Sequence, residues 1–171
     1  MNAITTHRTA FKWANEILEM TMADSSAELA GWTPPGIANS IAATYAHAIC
    51  GADGIVHGML QAGTPLYAGE WAHKTGISDP RMDQTLEWAR TVTVDLAVVR
   101  QYAEAVCASV DRFIASLSEA DLERDLDLSS VGLGMRSLDW CLSALVTGHI
   151  NNMAGEISAL KGVQGARGYP F

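Results

Sequence analysis

Residues 40–55 read SIAATYAHAICGADGI, and residues 148–162 read GHINNMAGEISALKG. In the first stretch Ile41, Tyr45, Ala48 and Ala52 form one helical stripe, which Ile55 and Met59 extend. A second stripe runs beside it through Ser40, Thr44, His47, Gly51, Gly54 and Gly58. Apart from His47 its members are small, so another helix can approach, or a ligand can be accommodated. Each glycine costs about 1 kcal/mol of helix propensity relative to Ala, which tertiary packing has to offset. In the second stretch His149, Met153, Glu156 and Leu160 continue a stripe begun by Leu138, Leu142 and Leu145. Two imidazoles, His47 and His149, therefore sit mid-helix on or beside apolar stripes. Inward-facing histidines on neighbouring helices can converge in a bundle core, which is where bundles build metal sites.

Outward from these stretches the punctuation is helical. A first segment over 6–30 carries Phe11, Ala14, Leu18 and Met22 at three-to-four spacing, and GWTPPG breaks the chain after it. The His47 segment runs over 37–61. Residues 62–92 read as a long connection punctuated by Gly63, Pro65, Gly69, Gly76 and Pro80, with a short helix over 82–89. Such a long loop is often functional, and Trp71 and Trp88 flank it in a way that could close a pocket. A third segment over 94–117 has Thr93 as its candidate N-cap. Ser118 then opens a capping turn, and DLERDLDLSSVGLGMR (121–136) reads as an irregular crossing or a small hairpin. The fourth segment runs over 138–161, with Ser137 as N-cap and Gly162 as the residue after its end. The pattern predicts an all-α fold: a four-helix bundle in one domain over 1–171, with a long connection between helices 2 and 3.

The composition excludes several classes of function. The chain has 171 residues, 49% of them hydrophobic and 18% charged, which rules out intrinsic disorder. A net charge of -8 lacks the basic footprint that neutralises phosphates, so no nucleic-acid partner is expected. The uncharged stretch from Leu29 to Ala52 contains Pro34, Pro35, Asn39 and His47, and no membrane partner is expected either. Lys12, Glu16 and Glu19 interrupt the N-terminal stretch where a signal peptide would need an apolar core. The three cysteines, Cys50, Cys107 and Cys141, form no CxxC pair, and their odd number fits a reducing, cytoplasmic setting. Mean hydropathy of +0.10 is high for this size and leaves apolar surface for a partner subunit, here expected to be a second copy in a homodimer. No G-x-S-x-G elbow, phosphate loop or dinucleotide fingerprint occurs.

Taken in order, SIAATYAHAICGADGI, GHINNMAGEISALKG and the ending LKGVQGARGYPF resemble the DinB/YfiT-like superfamily of four-helix metalloproteins. The resemblance covers nearly the whole chain, and the ending is similar to the tails of some bacterial members. In that family a single His of the second helix corresponds to His47. The pattern H-x-x-x-H-x-G, followed by Gln or Glu and an apolar residue, begins at His149 and continues through Ala154, Gly155, Glu156 and Ile157. The resemblance implies three imidazoles holding a divalent metal such as zinc or nickel, and metal-dependent hydrolase or thiol S-transferase chemistry on a small-molecule substrate. Met153 stands where the family has its second His of the motif. A thioether suits softer Cu(I) and is a poor ligand for zinc or nickel, so the implied site is incomplete and its metal weak or absent.

Other residues bear on the missing ligand. Asp53 lies about 120° round the helix from His47, and His57 about 80° off and three turns away, so neither is expected to join it. Cys50 shares the face of His47, Asn152 that of His149, and both are expected with Met153 in the pocket wall. Glu156 is a possible ligand whose simpler role is an ion pair with Lys161 or Arg167. His7 and His73 are expected in solvent. Three functions compete: a metal-dependent enzyme with His47 and His149 as ligands, a non-catalytic small-molecule-binding bundle that has lost its metal, and a dimer in which the histidines satisfy buried hydrogen bonds.

Overall fold

A computed structural model describes residues 2–171. Its helices are α1 (Ala3–Met22), α2 (Ala27–Gly31), α3 (Ile41–Asp53), α4 (Leu86–Thr91), α5 (Leu96–Ser116), α6 (Glu119–Leu122), α7 (Leu138–Trp140) and α8 (His149–Val163). Two short strands, β1 (Asp125–Asp127) and β2 (Met135–Ser137), pair antiparallel with Leu126 opposite Arg136, so the ambiguous stretch before the last segment is a hairpin. Two π-helical turns join the long rods: Gly54–Leu60 continues α3, and Cys141–Gly148 links α7 to α8.

The four rods form a bundle in which α1 packs on α5 and α8, and α3 packs on the same two helices from the opposite corner. α1 contributes Phe11, Ala14, Leu18 and Met22 to the core, as its spacing predicts. α5 contributes Val99, Tyr102, Ala103, Val106, Val110 and Ile114. α3 is buried almost all round, from Ile41 through Asp53, and this explains why its apolar residues do not segregate cleanly to one face. The exposed area of 8404 Å² agrees with the roughly 8,000 Å² expected for a folded chain of this mass. Among the described residues no helix is long and apolar enough to cross a membrane.

Several boundaries differ from the sequence expectation, each for a local reason. The first segment is two helices, because Ser26 caps a new one by accepting from the Leu29 amide. α3 starts only at Ile41, where Ser40 accepts from the Ala43 amide. The short helix of the connection lies at 86–91, capped by Thr85. Asp95, not Thr93, caps α5: its carboxylate accepts from the amides of Ala97 and Val98. At the end of α8 Gly162 stays helical, and Gly165 takes the left-handed conformation, with φ 76°, that closes the turn. Ser118 and Asp121 form the expected capping box, and Ser137 caps α7.

The π turns displace the buried stripes. Each accepts one more residue per turn than an α-helix, as in the bond from the Gln61 amide to the Val56 carbonyl. After Gly54 the buried positions are Val56 and Leu60, while Ile55 and Met59 are only half-buried. In the last rod Val146, Ile150, Ala154 and Ile157 are buried, while Leu145, His149, Met153 and Glu156 lie on the half-buried flank beside them.

Candidate functional site

α3 and α8 bring His47 and His149 together. Their ring centroids are 4.7 Å apart and the planes stand at 85°, edge to face. The close approach depends on Gly51: a Cβ there would lie 2.7 Å from His149 Nε2. Gly54 plays the same part for Met82, whose Cβ would be 2.7 Å from one added at residue 54. The small stripe read from the sequence therefore admits a histidine from α8 and a methionine from the long connection.

Burial lowers the pKa of both imidazoles. For His47 burial outweighs the opposing effects of Gln84 and Glu156. For His149 burial, reinforced by the neighbouring His47, pushes the value down to about 4. Both rings are neutral at pH 7, the state in which an imidazole nitrogen accepts a hydrogen bond or ligates a metal. His47 Nδ1 and His149 Nε2 are buried and have no hydrogen-bond partner within the protein, and Gln84 Oε1 shares that condition.

The donor set does not fit a three-imidazole metal centre. Met153, which the family resemblance puts at the third ligand position, is a half-buried side chain packed against the core. Among the described residues no group of three or more His, Cys, Asp or Glu side chains gathers to hold a metal ion. A catalytic zinc ion normally takes three protein ligands and an open position. Cys50 shares the helix but is fully buried, and burial, with Asp53 nearby, pushes its thiol up to about 12. It therefore stays a protonated packing group. Glu156 accepts from the Thr44 hydroxyl at 3.3 Å, while Lys161 pairs with Asp24, so the expected Glu156–Lys161 pair does not form. Asn152 is exposed.

A cleft of about 280 Å³ opens at His47, lined also by Ile37, Asn39, Gln84, Thr85, Leu86, Trp88 and Ala89. Met153, Asn152 and Cys50, the expected wall residues, do not line it. Its polar end is His47 with Gln84, and its apolar wall is Trp88, Leu86 and Ile37. The Gln84 amide is oriented by its Nε2 group, which donates to the Arg81 carbonyl at 2.7 Å. Trp88 is held by an indole N–H donating to the Asp79 carbonyl at 2.8 Å. Of the two tryptophans flanking the long connection, Trp88 joins this cleft and Trp71 instead packs against Tyr102. Gln84 carries no signal in the sequence: it precedes the capping Thr85 in a stretch without periodicity, and its role arises from where α4 docks.

Of two further histidines, one departs from expectation. His7 is buried, with Nε2 2.9 Å from Asp139 Oδ1, so the N-terminal helix hides it. His73 is exposed as expected, with a positive φ of 63°. Asp53 and His57 stay apart from the His47–His149 pair, as their helical angles predict, and form a network with Tyr102 and Ser109.

Comparison with known proteins finds a family model, the DinB superfamily, matching residues 10–153. No curated protein matches the chain. A crystal structure of a conserved protein from Enterococcus faecalis is similar in fold, with a TM-score of 0.81 at 19% identity, over 96% of this chain and 99% of that one.

Proposed function

The chain belongs to the DinB superfamily, and on that premise we propose that it binds a small uncharged molecule in the cleft headed by His47 and Gln84, its ancestral metal centre dismantled at Met153. The observation that carries the reading is the pair of polar atoms His47 Nδ1 and Gln84 Oε1, buried beside an apolar wall with no partner in hydrogen-bond geometry, although Gln84 is near enough to favour the charged ring of His47. Buried polar groups without partners cost about 1–3 kcal/mol each, and a ligand that satisfies them recovers that cost. Gln84 Oε1 can only accept, so the ligand offers it an N–H or O–H. The neutral imidazole accepts or donates according to tautomer. A cleft of 280 Å³ lies just below the usual range for drug-sized ligands, which points to a compact hydroxyl or amide compound with an apolar face for Trp88.

Thermal unfolding in the presence of small amides and alcohols tests this. A true ligand at a hundredfold excess over its Kd stabilises the fold by about 2.7 kcal/mol. The shift should vanish in Gln84→Leu and persist in a chelator. A ligand whose effect survives Gln84→Leu would sink the assignment of the cleft.

A second reading keeps the family chemistry, metal-dependent hydrolysis or thiol S-transfer with zinc or nickel. The edge-to-face imidazole pair, each ring with a free buried nitrogen, favours it. It requires about one metal per chain in protein purified without a histidine tag, lost on His149→Ala. Absence of retained metal after dialysis against zinc or nickel would leave the binding reading alone.

A further inference from the structure

Asp53 is fully buried at the end of α3, and its charge faces no lysine or arginine among its ion-pair partners. It is satisfied by hydrogen bonds instead. Oδ1 accepts from the Leu66 amide at 2.9 Å, and Oδ2 accepts from the Tyr67 amide at 2.9 Å and from the Tyr102 hydroxyl at 2.5 Å. His57 Nδ1 lies 2.6 Å from Oδ1. An ionised carboxylate only accepts, so Nδ1 carries the hydrogen in this contact. Nε2 lies 2.8 Å from Ser109 Oγ, and whenever the ring is neutral it is the accepting nitrogen, to which the Ser109 hydroxyl donates. A buried carboxylate, an imidazole held in one tautomer and a hydroxyl aimed at its free nitrogen form the arrangement that activates a serine.

We propose that Ser109 is an acylatable nucleophile, with His57 as its general base and Asp53 as the residue that positions the imidazole, and that it takes small activated carboxylic esters. Ser109 is half-buried on α5, between exposed Ala108 and a flank that carries exposed Arg112 one turn on. The network shares no residue with the cleft at His47, so it stands or falls apart from the function proposed above. In the reaction Ser109 Oγ attacks the ester carbonyl carbon and its proton passes to His57 Nε2. The bond from the carbonyl carbon to the leaving oxygen breaks, and the proton leaves Nε2 with the departing alcohol or phenol. The product is an ester of Ser109.

The backbone amide of Ser109 lies inside α5 and is committed to the helix ladder. That amide therefore does not serve as an oxyanion donor, and such a donor is typically worth 10²–10³ in rate. Acylation is accordingly slow and the acyl group persists, which makes the site visible as a stable label.

The test is incubation of the full chain with p-nitrophenyl acetate, followed by peptide mapping by mass spectrometry. One acetyl group per chain is expected, on Ser109, formed faster than on exposed serines such as Ser116. Ser109→Ala should abolish it. His57→Asn retains an N–H for Asp53 while removing the base, and should slow labelling by about 100-fold. Thermal unfolding confirms that both variants are folded. Labelling of Ser109 at an unchanged rate in His57→Asn, no faster labelling than at exposed serines, or no label on Ser109 at all would each overturn the proposal.

Discussion

The imidazole of His149 occupies the space in which residue 51 would carry its Cβ: an added methyl at Gly51 would sit 2.7 Å from Nε2. The mid-helix glycine and the histidine that fills its space are therefore one structural device. Gly51→Ala is expected to cost about 1–2 kcal/mol, since overpacking outweighs the gain in helix propensity. Urea unfolding of Gly51→Ala, His149→Ala and the double variant measures the coupling. If the glycine is there for the histidine, the double variant is more stable than the sum of the single losses predicts.

On the binding reading proposed above, Met153→His supplies a third imidazole one helical turn after His149. It is expected to raise the zinc or nickel retained to about one ion per chain, with higher melting temperature when loaded. Elemental analysis of both forms after identical dialysis reads the outcome. If Met153→His retains no more metal than the natural chain, the assignment of residue 153 as the third ligand position is wrong.

Asp53 sets an acid limit on stability. Burial alone would raise its pKa, but the bonds from His57, Tyr102 and the amides of Leu66 and Tyr67 overcome this, and the value falls below the ordinary 3.8. In acid the unfolded chain takes up this proton before the folded one does. The contribution is fully present above the unfolded value and is lost as pH falls through it toward the folded value. Asp53→Asn removes the contribution at neutral pH, with a loss of about 3 kcal/mol as buried donors lose their acceptor. The difference in unfolding free energy between the two proteins should shrink when measured below pH 4.

Lys161 is 1% exposed, and its ammonium donates to the Thr21 carbonyl at 2.7 Å and to Asp24. It ties the end of α8 to the break between α1 and α2. Lys161→Met keeps the stem and removes the charge, and is expected to destabilise by about 1–3 kcal/mol, since the Thr21 carbonyl loses its donor while exposed Asp24 turns to water. Equal stability of the two proteins in urea would show that the amine contributes no net attraction there.

The bundle was legible because α1 and α5 keep α-helical periodicity throughout: Phe11, Ala14, Leu18 and Met22 are buried where their spacing puts them, as are Val99, Ala103, Val106 and Val110. The His47–His149 pairing was legible because both lie on or beside apolar stripes of segments that pack together as α3 and α8. What periodicity could not reveal was the phase slip. It places Val56 and Leu60 inward in place of Ile55 and Met59, and no residue type in Gly54–Leu60 announces a π turn. His7 looked solvated because its partner Asp139 is 132 residues away, and Ser109 drew no notice because His57 is 52 residues from it. Gln84 escaped for a related reason: its oxygen matters only because α4 sets it beside His47.

The two π turns carry a consequence for how this chain can change. Each is, in effect, an insertion of a single residue that the helix has absorbed without breaking. Deleting one residue within such a turn would restore ordinary winding and leave the residues on either side facing nearly as they do now, because the wide turn holds one extra residue in the same sweep. Elsewhere in a rod the same deletion would swing every later side chain by about 100°. The bundle therefore tolerates a change of length by one residue at these two places and not along the rest of its rods.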